Sequence, residues 1–411
     1  MQLDVSVQIE GEDVLAGRLY QNVRHGDETA TFSYATSYLD DPRAFALAPD
    51  MPLGPGTFHS EGLRDFRALE DCMPDRWGRN LMLRAERARA REDERVPRTL
   101  FEADMLAGVN DEARQGALRI WDTDGRVLSG IVDGVPRETS IPSLLRAADI
   151  TASDMDADVR DLLAAGSSLG GARPKASVRD EGGFLCIAKF PKEDESAIDD
   201  VCAWEHVALC LMERSGIPVP VSRLLRVAGR SVLLTRRFDR RGRERVPYIS
   251  GLTAVQGTDG GRYSYLELVD FIETEGSQPA RDLRDLWTRA LFSCAVGNTD
   301  NHLRNYGFLR EASGWRLSPT FDVNPTPGSE PKFLTTGLEF GVRDAEPELA
   351  FEVLDFFRLS LAEARDAASR MASALSGWRR QARADGISEA SIDYMADCFE
   401  VGVRKLRTLS R

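Results

Sequence analysis

Residues 297–307, Gly-Asn-Thr-Asp-Asn-His-Leu-Arg-Asn-Tyr-Gly, constrain this chain more than any other stretch. They set an acid, Asp300, and an amide, Asn305, five residues apart in a polar loop flanked by glycines. Ahead of the loop, Leu283, Leu286, Trp287, Ala290, Leu291, Cys294 and Ala295 recur at three- and four-residue steps, the apolar stripe of a helix. Behind it, residues 306–310 and 315–317, split by a turn containing Gly314, read as a short hairpin. The hairpin delivers a second acid, Asp322, after Pro319 and Phe321. Helix, polar loop, hairpin and acid together can hold a base and a metal-binding pair around one reacting phosphate.

The totals limit the alternatives. At 411 residues there is room for two or three domains with cores of their own. No apolar run approaches the roughly 20 residues needed to cross a bilayer. The first residues alternate like a strand and lack the layout of a signal peptide, so a cytoplasmic location is expected and no membrane partner. Cys72, Cys186, Cys202, Cys210, Cys294 and Cys398 are scattered without a Cys-x-x-Cys pair, which predicts free, mostly buried thiols rather than disulfides or zinc. A net charge of −13 argues against a chain that coats nucleic acid by bulk electrostatics. The chief basic cluster, Arg236, Arg237, Arg240, Arg241, Arg243 and Arg245, reads as a solvated turn or as a docking patch for an acidic partner or phosphate backbone.

Taken in order, residues 1–20 read as a hairpin with Leu3, Val5, Val7 and Ile9 on one face, and residues 31–34 add a strand. Residues 63–83 read as helical with an interruption at 73–79, where Pro74 suits a first helical turn. Residues 86–95 are dense in charge, the solvated face of a helix. Residues 101–109 return to an apolar helix, 116–121 are strand-like, and 122–136 form the expected boundary of a first domain. Beyond the loop and Asp322, residues 349–358, 360–384 and 388–409 supply long amphipathic helices.

A second chemical constellation lies between. Residues 166–175, Gly-Ser-Ser-Leu-Gly-Gly-Ala-Arg-Pro-Lys, precede two strands at 176–179 and 184–190. The backbone N–H groups of Gly170, Gly171, Ala172, Arg173, Pro174 and Lys175 (proline excepted) can face an anion. The segment lacks the Gly-Lys-Ser/Thr ending of a P-loop. Period two puts Leu185, Ile187 and Lys189 on one strand face, so a lysine ends an apolar row. In the helix read at 199–215, Glu205 edges onto the face carrying Val201, Trp204, Ala208, Leu211 and Met212. Two charges misplaced on consecutive apolar faces explain each other if they pair, since unpaired burial costs several kcal/mol.

These parts suit phosphoryl transfer, which needs neutralised phosphate charge, in-line placement and an acceptor for a hydroxyl proton. Asp300 is the candidate base, with Lys189 fixed by Glu205 as a point charge. Asn305 and Asp322 are hard oxygen ligands suited to Mg²⁺. Base, amide five on, then acid after a hairpin is the protein-kinase order.

Taken together, these motifs resemble the HipA family, serine/threonine kinase toxins of bacterial type II toxin–antitoxin modules. Residues 168–175 resemble the family's serine-bearing glycine loop, 187–191 its lysine strand, and 235–240, Thr-Arg-Arg-Phe-Asp-Arg, its hinge. Residues 298–305 resemble its catalytic loop, 321–323 its metal segment, and the first domain, with 69–75, its N-terminal subdomain. The resemblance implies an α+β, protein-kinase-like two-lobed fold with an extra N-terminal α/β subdomain (1–130), a kinase N-lobe (155–240) and a helical C-lobe (241–411). It implies ATP and Mg²⁺ as cofactors, with Lys189, Arg236, Arg237, Phe238, His302, Asn305 and Asp322 joining the glycine loop around the nucleotide. It also implies a protein substrate, with translation components among the family's targets, and a small helix-turn-helix antitoxin of the HipB kind that binds operator DNA. Ser168, with Ser167 as the alternative, becomes the expected autophosphorylation site, where added charge would expel a loop built to receive phosphate. Two departures from ordinary protein kinases stand out: no His-Arg precedes Asp300, and Val323 rather than Phe-Gly follows Asp322. A small-molecule kinase of the same fold, and a non-catalytic module holding an antitoxin on DNA, are the competing expectations.

Overall fold

Alternating apolar residues at the N-terminus decide the first sheet: Leu3, Val5 and Val7 all turn to one buried face. The computed structural model describes residues 1–60, 62–129, 134–154, 157–165 and 173–411. They are 39% helix and 21% strand, the mixed α+β class expected. They form two compact units, one of Met1–Glu193 with Arg236–Ile249, the other of Asp194–Thr235 with Ser250–Arg411.

The first unit carries a five-stranded antiparallel sheet in the order Phe58–His59, Asp27–Tyr34, Glu12–Arg24, Gln2–Ile9, Leu118–Trp121. This hairpin turns at Glu10-Gly11, both at positive φ (50° and 82°), as a tight hairpin requires, and Glu12 already belongs to the next strand. A bulge between Val5 and Ser6 shifts the register, pairing Val5 with Gly17 but Ser6 with Leu15. At Gly17 a Cβ would meet the Ser33 carbonyl at 2.3 Å, so no larger residue fits beside that strand. The helix predicted to begin at Pro74 begins instead at Arg76, because Asp75 caps it by accepting the Gly78 N–H at 2.7 Å. Helices Glu102–Gly108, Ile141–Ser153 and Arg160–Ala164 follow, and then the hairpin of Lys175–Arg179 and Leu185–Lys189.

Two surface expectations for this unit fail. Glu86, placed on a solvated helix face, is buried, accepting from the Arg95 guanidinium at 2.6 Å and the Arg98 N–H at 2.7 Å. The basic cluster is largely internal. Arg237 donates to Asp239 (2.8 Å) and the Ala113 carbonyl (2.5 Å), Arg240 to Asp239 (2.9 Å) and the Arg114 carbonyl (2.6 Å), and Arg245 to Asp111 (2.9 Å). Burial alone would raise the Asp239 carboxyl, but Arg237 and Arg240 hold it well below the usual range. The three arginines thus join the 111–116 turn to residues more than a hundred positions later, and no run of arginines discloses such distant partners. Only Arg241 and Arg243 of the cluster are exposed.

In the second unit the helix Val201–Arg214 is capped by Asp200, and the hairpin Ser222–Val227 with Arg230–Arg236 turns at Ala228-Gly229. The helices Tyr265–Glu275 and Pro279–Ala295 lead to the polar loop and to the hairpin Gly307–Glu311 with Gly314–Leu317. Trp204, Trp378 and Phe399 stack at 4.8–6.1 Å between centroids, welding the first helix to the C-terminal ones. Gly402 permits a close helix crossing, since a Cβ there would meet the Ala295 carbonyl at 2.0 Å. The long C-terminal helices expected are each broken. Leu361–Leu375 and Trp378–Ala384 part at Gly377, Glu389–Tyr394 and Ala396–Leu409 part at Met395, and Pro347–Glu352 gives way to a 3₁₀ turn at Leu354–Phe357. Amphipathic spacing survives such breaks unchanged, so periodicity alone did not disclose them. No helix among the described residues is long and apolar enough to cross a membrane.

Candidate phosphoryl-transfer site

The polar loop is fixed at both ends. The helix Pro279–Ala295 is buried along most of its length and stops at Val296-Gly297. Gly297 has φ 57°, the left-handed region that favours glycine, and a Cβ there would meet Lys332 Cδ at 2.4 Å, so that side chain would have to move aside. Buried Asn301 then pins the middle of the loop. Its amide donates to the Tyr265 hydroxyl (2.9 Å) and the Thr336 carbonyl (3.0 Å), and its oxygen accepts from the Thr335 N–H at 2.7 Å. Asn298, also buried, accepts from the Asn324 N–H at 3.3 Å, tying the loop to the segment after Asp322.

This scaffold displays the expected residues unequally. Asp300 is exposed, and its carboxylate lies 3.0 Å from His302 Nε2. The hydrogen bond to Asp300 lifts the His302 imidazole above its ordinary range, against the opposing effect of burial. Asn305 donates its amide to the Asp300 main-chain carbonyl at 2.7 Å, closing the five-residue loop. That bond orients the amide and leaves Oδ1 without a partner among the described residues.

Asp322 sits at φ 58°, a left-handed conformation uncommon outside glycine, though aspartate adopts it more readily than most residues. Its N–H donates to Glu205 Oε1 at 3.1 Å, and its own Oδ1 accepts from the Asn324 amide at 3.3 Å. Glu205 is buried in the Val201–Arg214 helix, as the sequence pattern required of a charge on that face. A role not foreseen for it is thereby present: its carboxylate accepts the backbone of the second acid.

Asn305 and Asp322 line one small cavity, together with Asn298, Asn301, Thr320 and Arg289. Three buried polar atoms in or beside this lining, Arg289 Nε, Thr320 Oγ1 and Asn324 Oδ1, lack a protein hydrogen-bond partner. The two unmet oxygens, Thr320 Oγ1 and Asn324 Oδ1, beside the Asn305 and Asp322 oxygens fit a hydrated divalent cation better than an apolar ligand, whereas Arg289 Nε can only donate and suits a water or phosphate oxygen. No group of three or more His, Cys, Asp or Glu side chains that could enclose a metal occurs among the described residues. Mg²⁺ needs no such cage, since it keeps waters and shares phosphate oxygens.

The remaining expected residues belong to the first unit. Lys189 is buried at the strand end, directly opposite Lys175 in the register. Lys175, expected among the phosphate-facing residues, is 4% exposed, with its ammonium 3.5 Å from buried Asp75. Arg236 donates to Asp180 (3.1 Å) and lies 3.7 Å over the Phe184 ring, while the Arg237 N–H donates to the Leu185 carbonyl at 2.9 Å. Phe238 packs against Tyr248 with 6.3 Å between centroids. Arg173 and Pro174 are described, whereas Ser167, Ser168, Gly170, Gly171 and Ala172 lie outside the described residues.

Sequence reasoning gave no role of their own to Asn298, Asn301 and Asn324, the amides that brace the loop. For Asn298 and Asn301 the signal was present, since with Asn305 they put three asparagines in eight residues, 298–305; Asn324 lies outside that run and carries no such mark.

Likeness to known proteins bears on the family and the fold. A family model described as the HipA-like C-terminal domain matches residues 167–384, and one described as the HipA N-terminal domain matches residues 7–99. The chain has the fold of a solved structure titled Shewanella oneidensis MR-1 Toxin Antitoxin System HipA, HipB and its operator DNA complex. The TM-score is 0.69, at 15% identity and with 99% of each chain covered. A Haemophilus influenzae protein whose name assigns it provisionally to the kinases is 25% identical over 191 residues, covering 39% of this chain. The match spans 54%, about half, of that relative's own length. With more than half of its 411 residues matched by the C-terminal model alone, and much of the rest by the N-terminal one, the chain belongs to the HipA family.

Proposed function

We propose that this chain is a HipA-type kinase that moves the γ-phosphate of ATP to a serine or threonine of a protein, a translation component being the expected target. The observation that carries the reading is the loop closed by Asn305 on the Asp300 carbonyl, with Asn305 and Asp322 lining one cavity. Exposed Asp300 is the group to accept the proton of an attacking hydroxyl. His302, at 3.0 Å, orients that carboxylate. Asn305 Oδ1 and the Asp322 carboxylate would hold Mg²⁺, which when bound supplies neutralising charge for the phosphates. Glu205 keeps Asp322 in its left-handed conformation. On this reading Lys189 contributes positive charge to the nucleotide, and Arg173, Pro174 and Lys175 form the root of the glycine loop. Arg236–Phe238 contribute mainly through their backbone, because the Arg237 guanidinium is already engaged.

The working division is an N-terminal subdomain at 1–130, a nucleotide-binding segment at 155–240 and a catalytic segment at 241–411. We extend the reading to autophosphorylation at Ser168, or at Ser167, and to neutralisation by a small helix-turn-helix antitoxin. The Shewanella complex, whose title contains HipB and operator DNA, supports such a partner. The test is incubation of the purified chain with radiolabelled ATP and Mg²⁺, with and without cell lysate. Label in this chain or in one lysate protein supports the reading. Label on small molecules alone would favour a small-molecule kinase, and no label with tight antitoxin binding a non-catalytic module.

A further inference from the structure

Away from the loop, the Val201–Arg214 helix carries a second chemical cluster. His206 and Cys210 are four residues apart, hence on one helix face, with Cys210 Sγ 3.9 Å from His206 Nε2. The other ring nitrogen, Nδ1, lies 2.9 Å from Asp385 Oδ2. Asp385 is held in turn, its Oδ1 accepting from Gln381 at 2.9 Å and its main-chain carbonyl from Arg226 at 2.8 Å. The arrangement is nucleophile, base and orienting acid, each within reach of the next.

We propose that Cys210, paired with a His206 ring that Asp385 orients, is the reactive cysteine of this chain and the site at which hydrogen peroxide oxidises it. Its setting differs from that of the other cysteines. Cys72, Cys186, Cys202, Cys294 and Cys398 are buried, whereas Cys210 is partly exposed. Burial pushes Cys72 to about 11 and Cys294 and Cys398 to about 12, which makes those three inert at neutral pH. Burial would lower His206, but its hydrogen bonds to Asp385 and Cys210 prevail and lift it to about 9, so it is cationic at neutral pH.

The step balances. The Cys210 thiolate attacks one peroxide oxygen, the S–O bond forms and the O–O bond breaks. The departing hydroxide takes the His206 proton and leaves as water. Sulfur is oxidised by two electrons to a sulfenic acid and peroxide is reduced.

The experiment uses the full chain, folded, with the reaction mapped by peptide mass spectrometry. Iodoacetamide at pH 6 should label Cys210 first, and Asp385→Asn should slow that labelling about tenfold, because the imidazole beside the sulfur is then no longer held in place. After hydrogen peroxide, dimedone should trap sulfenic acid at Cys210, and Cys210→Ser should abolish the adduct. If Asp385→Asn does not fold, as judged by its thermal transition, His206→Gln makes the same comparison. Equal labelling rates in wild type and variant at pH 6, or a dimedone adduct at another cysteine instead, overturn the proposal.

Discussion

Glu205 offers the sharpest perturbation, because it separates two roles. Its carboxylate accepts the N–H of Asp322, which stands at φ 58°. A non-glycine residue in that region is disfavoured by about 1–2 kcal/mol and stays there only while its surroundings insist. Glu205→Ala removes the acceptor, and the backbone at Asp322 gains that same 1–2 kcal/mol by relaxing to negative φ. Relaxation swings the carboxylate out of the cavity it shares with Asn305. Restoring it on binding ATP–Mg²⁺ then weakens affinity about 5–30-fold. Glu205→Gln keeps an oxygen acceptor and should lose less than about fivefold if the backbone bond is what matters. Should Gln lose as much as Ala, the charge itself is needed. Isothermal calorimetry with a non-hydrolysable ATP analogue and Mg²⁺ reads all three chains. A folded Glu205→Ala protein with wild-type affinity would refute the link between this helix and the second acid.

Three further outcomes follow from the same geometry. Gly297→Ala should cost about 2–3 kcal/mol in urea unfolding, combining left-handed backbone strain with loss of the Lys332 bond to the Gly328 carbonyl; a change under about 0.5 kcal/mol would contradict the packing described. Asp300→Asn should lower phosphate transfer about 10²–10⁴-fold while ATP–Mg²⁺ affinity changes little, and unaltered transfer would remove Asp300 as the base. His206 is raised to about 9, so its contribution to stability is fully present below about 6.5 and lost as pH rises through 9. Unfolding free energy should therefore fall by roughly 1–3 kcal/mol across that window, and the fall should shrink in Asp385→Asn, which leaves only the Cys210 contact.

Much of the frame was legible because it rests on local rules. Three- and four-residue spacing announced the helix before the loop, and alternation announced the N-terminal hairpin. Asp300, Asn305 and Asp322 were legible as a series because their order along the chain is itself the chemical signal. What escaped was everything settled by distant partners. Asp239 and Asp111 turn a basic run into an internal network, and Asp75 meets Lys175 a hundred residues on. The hydrogen bond from Asp322 to Glu205 spans 117 positions, and no local pattern marks it. The C-terminal helices were over-extended for the opposite reason, since breaks at Gly377 and Met395 leave the apolar period intact.

The most direct measurement is a crystal structure of the chain with Mn²⁺, in place of Mg²⁺, and a non-hydrolysable ATP analogue, with anomalous scattering locating the metal. An anomalous peak about 2.1 Å from both Asn305 Oδ1 and an Asp322 carboxylate oxygen, with the terminal phosphate facing Asp300, is the predicted result. A metal–nucleotide complex bound elsewhere, with neither Asn305 nor Asp322 among its ligands, would contradict it.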